Sequence, residues 1–160
     1  MNFRVTNQAA QLLAEYSADH QNLFNRLMHS ICVPLIAIAL IGLLWAIPVP
    51  GTWSLASTWI NFGTAALIIL NVYYLRLAPR LGLGMVVAAL LVAPLLAFAA
   101  GLPVPLWLTA LVVFTVGWIG QFIGHYVEGR RPSFFRDLRF LLIGPLWVLA
   151  KFYAVLGIRA

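Results

Sequence analysis

The sequence predicts an all-α integral membrane helical bundle: about four transmembrane helices, an interfacial helix at the N-terminus and an interfacial or re-entrant helix at the C-terminus. Hydrophobic residues make up 63% of the 160 residues and charged residues only 9%, with a mean hydropathy of +0.97. Four acids and ten bases cannot cover the exterior of a soluble domain of this size. Apolar runs of spanning length recur along the chain, each closed by proline, glycine or arginine. Lysine and arginine are confined to alternate connections between those runs. The chain is read as a single integral membrane domain over residues 1–160.

Residues 7–21 form the predicted interfacial helix, because Leu13, Tyr16 and His20 recur at helical spacing while Gln8, Gln11, Glu15 and Asp19 fall elsewhere. Asn22 and Asn25 suit a turn or a new helix cap. The first predicted span runs over 30–47 with Pro34 near its start, where proline is best tolerated. The second runs over 55–75 and carries Asn61 and Asn71, which belong against other helices rather than lipid. A third covers 81–100 with Pro94 as a kink, and the fourth covers 106–122. Gly117, Gly120 and Gly124 mark the fourth for close packing. The last apolar run, 140–150, is short and broken by Gly144 and Pro145, so it reads as interfacial or re-entrant. Read instead as a fifth span, it would put the C-terminus outside.

With four spans every basic residue falls on one side, which the positive-inside rule makes cytoplasmic along with both termini. A net charge of +6 then points to anionic lipid headgroups rather than nucleic acid. His20, His29 and His125, with Glu15, Asp19, Glu128 and Asp137, all fall on that same side.

The stretch from Trp118 to Pro132 carries most of this polarity. On one helix Gln121, His125 and Glu128 share a face, and Pro132 is expected to end it. His20 and His29 lie nine residues apart, half a turn out of phase on an unbroken helix, so a bend is needed to bring them face to face. Converging imidazoles suit a divalent metal. A separation of more than about 10 Å would exclude a shared ion. The alternative is that these are interfacial polar residues. For Glu128, spacing favours a salt bridge to Arg130, Arg131 or Arg139 over metal ligation. Cys32 reads as packing rather than as a soft ligand, and Trp118, Phe134, Phe135 and Trp147 as interfacial belt aromatics.

Tyr16, His20, Asn22, Asn25, His29 and Pro34, then Gly117-Trp118, Gln121, Gly124-His125, Glu128, Pro132 and Gly144-Pro145, together resemble the 2-hydroxy fatty acid dioxygenase family. The similarity runs in order along nearly the whole chain. It implies an iron(II)-dependent enzyme that uses O2 to shorten a 2-hydroxy fatty acid by one carbon, in a bacterial inner membrane or the endoplasmic reticulum. It further implies His20, His29 and His125 as iron ligands and Glu128 as a catalytic residue in or beside the metal shell. Tyr16, Asn22, Asn25, Gln121, Arg130 and Arg131 are implied as substrate or supporting residues. Two departures from the family pattern stand out, Gln21 where a second histidine is expected and a glutamate one residue closer to His125. The rival classes are a zinc-dependent membrane hydrolase acting on a lipid, and a non-enzymatic small membrane protein. The spans hold no ionisable residue near their midpoints, which argues against a transporter.

Overall fold

The computed structural model describes residues 7–51, 57–129 and 141–158, and every regular element among them is helical. In chain order these are α1 Asn7–Asp19, α2 Leu23–Trp45, α3 Phe62–Leu77, α4 Pro79–Ala100, α5 Leu106–Glu128 and α6 Ile143–Val155. Helices α2, α4 and α5 are long and apolar enough to cross a membrane. Their outer faces carry large exposed apolar side chains, with Leu90 and Phe98 each 69% accessible, as a lipid-facing surface requires.

The second predicted span is corrected. Asn61 is not inside it but caps its start, accepting from Thr64 N at 2.9 Å. The helix that follows has 16 residues, or roughly 24 Å at 1.5 Å per residue, short of the ~30 Å of a bilayer core. It still runs between the two apolar clusters of the bundle. At one end Gly63 lies against Trp45; at the other the Tyr74 hydroxyl donates to Leu142 O at 2.7 Å. Helices α2, α3, α4 and α5 therefore alternate in direction.

The first cluster, around Ile41, Trp45, Leu96 and Leu106, closes the far end. The second gathers Tyr16, Tyr74, Leu77, Leu81, Leu146 and Trp147. It clamps α1 and α6 across the end where α2 begins and α5 ends. Arg26, Arg76 and Lys151 belong to that same end by their places in α2, α3 and α6.

Helix α2 starts earlier than the sequence suggested. Asn22 caps it, its side chain accepting from Phe24 N at 2.8 Å and Asn25 N at 3.3 Å. Pro34 consequently sits in the helix interior, where it removes one backbone donor. Helix α5 likewise continues past Phe122 to Glu128 and ends on Gly129, whose φ of 72° is the left-handed cap conformation. Pro132, expected to end it, lies outside the described residues.

Small residues bring α2 and α5 together along an antiparallel seam. Gly42 faces Ala110, Gly117 faces Ile36, Gly120 faces Cys32 and Gly124 faces Asn25. A Cβ on Gly117 would sit 2.7 Å from Ile36 Cγ1, so the backbones approach as closely as they do only because these positions lack side chains. The seam fixes the register of His29 on α2 against His125 on α5.

Candidate metal centre

Three histidines meet where α1, α2 and α5 converge. One ligand nitrogen from each of His20, His29 and His125 lies within 4.8 Å of the others, far inside the distance at which a shared ion would be excluded. His20, His29 and His125 are all buried, at 5%, 3% and 9% exposure. His20 reaches the group because α1 stops just before it and the Asn22 cap turns the chain. That bend places His20 and His29 with ring centroids 4.1 Å apart, and His125 stands 4.9 Å from His29.

The hydrogen bonds fix which nitrogens are bare. His20 Nδ1 donates to Tyr16 O at 2.7 Å and His29 Nδ1 donates to Asn25 O at 3.0 Å. A carbonyl oxygen only accepts, so each neutral ring carries its proton on Nδ1 and leaves Nε2 as a lone pair. Those two Nε2 atoms are 3.0 Å apart. Lone pairs facing each other at that separation repel unless a cation lies between them. Imidazole nitrogens oriented by backbone carbonyls are the usual support for a transition-metal site, and this donor set suits iron, zinc or copper.

Around the group, Tyr16 stacks on His20 with centroids 4.4 Å apart and 16° between planes. Trp147 lies 4.9 Å from Tyr16 and 5.8 Å from His20, is 3% exposed, and donates from Nε1 to Ser17 Oγ at 2.8 Å. It is therefore a wall of the site and not a belt residue. The polar tip of its indole pairs with α1, which satisfies it in the interior. Lys151 Nζ sits 3.3 Å above the same ring. Burial, and then the nearby Arg26, lower the Lys151 pKa to about 8.

Glu128 lies outside the histidine group. Its carboxylate accepts from Gln21 N at 2.7 Å, from Asn22 N at 3.2 Å and from Asn25 Nδ2. It thus ties the last turn of α5 to the first turn of α2, where the helix N-terminus favours an anion. The salt bridges considered for it involve Arg130, Arg131 and Arg139, which lie outside the described residues, as do Phe134, Phe135 and Asp137. Asn22 is the cap of α2, and fully buried Asn25 serves His29 through its carbonyl and Glu128 through its amide. Cys32 is buried against Gly120 and is not part of the group. Glu15 is exposed on α1.

One cavity adjoins the histidines and a larger one lies beside it. The first, of about 40 Å³, is lined by His29, His125, Gln121, Tyr16, Trp118 and Leu141, among others. The larger one, of about 380 Å³, runs between α2, α3, α4 and α6. Its lining is almost wholly apolar, with Asn71 and Tyr74 the polar members. Leu141 borders both. Sequence reasoning missed Trp147 and Leu141 because an aromatic or a leucine in an apolar run carries no signal of what it faces.

The fold and the site define a class, an all-helical, membrane-type bundle with a buried three-histidine centre of metal-binding geometry at one end. The chain belongs to the Mpo1-like family, described as 2-hydroxy-palmitic acid dioxygenase Mpo1-like, whose model matches residues 6–156. It is 32% identical over 148 residues to the 2-hydroxy-palmitic acid dioxygenase MPO1 of Saccharomyces cerevisiae, covering 91% of this chain and 79% of that protein. No solved structure matches the chain.

Proposed function

We propose that this protein is an iron(II)-dependent dioxygenase that shortens 2-hydroxy fatty acids by one carbon. The observation that carries the reading is the pair of bare Nε2 atoms 3.0 Å apart in a buried three-histidine group, in a chain of this family. His20, His29 and His125 would hold the ion. Iron(II) on three neutral imidazoles supplies open coordination positions and the electron transfer that O2 needs.

The chain's own residues do the rest. Tyr16 and Trp147 pack over His20 and shield the site from water. Glu128, Asn22 and Asn25 hold the two ligand-bearing helix ends in register. The hydrocarbon chain lies in the apolar cavity beyond Leu141, whose volume is in the range of ligand pockets, with the head toward the histidines. Arg130 or Arg131, outside the described residues, would pair with the carboxylate. One O2 converts the 2-hydroxy acid to the acid one carbon shorter, CO2 and water, so the atoms and electrons close without a further reductant. The described basic residues at the histidine end support a cytoplasmic side for that end by the positive-inside rule.

Detergent-purified protein reconstituted with iron(II) is expected to consume O2 only when a 2-hydroxy fatty acid is present, yielding the acid one carbon shorter. Zinc retained at stoichiometry, with hydrolysis and no O2 uptake, would move the protein to the hydrolase class. No metal after anaerobic loading would leave a non-enzymatic membrane protein.

The cavity makes a second prediction. Ile41, Leu67 and Val92 line its far end, so Val92→Trp is expected to shorten the preferred chain. Activity should fall about fourfold for each methylene that no longer fits, from roughly 0.8 kcal/mol per buried CH₂. A chain-length series whose optimum stays where the wild type has it would place the hydrocarbon elsewhere.

A further inference from the structure

We infer that Gln121 reads the 2-hydroxyl group of the substrate; the inference rests on the fatty acid reading above. Gln121 is one helical turn before His125 on α5, on the same face. It is 5% exposed and lines the small cavity together with His29 and His125. Its Oε1 is buried and accepts no hydrogen bond among the described residues. Leaving an acceptor unmet in the interior costs roughly 1–3 kcal/mol, and such groups are rare in folded chains. The terminal amide turns about a broad torsion, so the oxygen reaches an occupant of the cavity with no movement of the helix.

The chemistry of the acceptor selects the partner. A carboxamide oxygen needs a donor. At neutral pH the carboxylate of a fatty acid only accepts, and its hydrocarbon chain offers nothing. Among the groups of a 2-hydroxy acid, the hydroxyl alone can satisfy Gln121 Oε1. A plain fatty acid and a 2-oxo acid both lack that donor, so they leave the oxygen unpaired. Sites that bury a hydrogen-bonding group discriminate strongly against analogues that cannot meet it. Gln121 is accordingly a specificity-determining residue that separates hydroxylated acids from the far commoner plain ones.

The test is competition binding to metal-loaded protein kept anaerobic, so that no turnover intervenes. A labelled 2-hydroxy acid is displaced by unlabelled 2-hydroxy, 2-oxo and plain acids of one chain length. Gln121→Met keeps the side-chain volume and removes the acceptor, and metal content reports that the site is intact. The wild type is expected to prefer the 2-hydroxy acid, and Gln121→Met to reduce that preference by about 10-fold or more, through weaker binding of the hydroxylated acid alone. Gln121→Asn, which retains a shortened amide, should fall between them. A preference unchanged in Gln121→Met would overturn the inference and assign the amide to an ordered water. Wild-type protein that binds none of the acids would instead remove the fatty acid reading, and this inference with it.

Discussion

His29→Ala should empty the metal centre. His29 is the middle member of the group, with ring centroids 4.1 Å from His20 and 4.9 Å from His125, and its Nε2 faces that of His20 at 3.0 Å. Its loss leaves two imidazoles that no longer surround one point. Changing groups that merely support a ligand typically costs 10–100-fold in metal affinity, so losing the ligand itself is expected to cost at least about 100-fold. Turnover should fall in parallel. Metal analysis of purified protein, with helical content by circular dichroism as the control on folding, checks this. His29→Ala that kept a full complement of metal would show that the histidines do not share an ion.

Glu128→Ala should weaken the same centre without removing a ligand. The carboxylate accepts from two backbone donors and from Asn25 Nδ2 across the gap between α5 and α2. Losing such a charged acceptor costs about 2 kcal/mol of stability, discounted by its partial exposure to solvent. Once the tie is gone, the turn carrying His20 and the start of α2 carrying His29 are free to shift against His125. Metal affinity should drop 10–100-fold, the range for groups that orient ligands. Glu128→Gln keeps an acceptor of the same length, so it should retain most of the affinity. If Gln proved as damaging as Ala and both abolished binding, the carboxylate itself would be a ligand.

The two substitutions probe different kinds of information. Composition and periodicity alone determined that this chain is an all-helical membrane-type bundle, because 63% hydrophobic residues leave no way to build a soluble surface. The order of spans and breaks also placed His20, His29 and His125 at one end, since each flanks an apolar run and the runs alternate in direction. The glycine spacing on the last long helix announced a close neighbour. What a linear pattern lacks is the partner of each group. The bend at Asn22 and the α2–α5 seam decided that His20 and His29, half a turn out of phase along the sequence, face each other. Glu128 looked like a companion of the arginines beside it, yet it accepts from residues more than a hundred positions earlier. Trp147 read as an interfacial aromatic and became a wall of the site, because α6 folds back over α1. Helix boundaries moved for a related reason: the sequence offered Asn22 as either a turn or a cap and put Asn61 inside a span, and the backbone donors they accept from show that each begins a helix. Burial preferences are local and so can be read from the chain, whereas hydrogen-bond partners and ring contacts are long-range and exist only once the helices have packed.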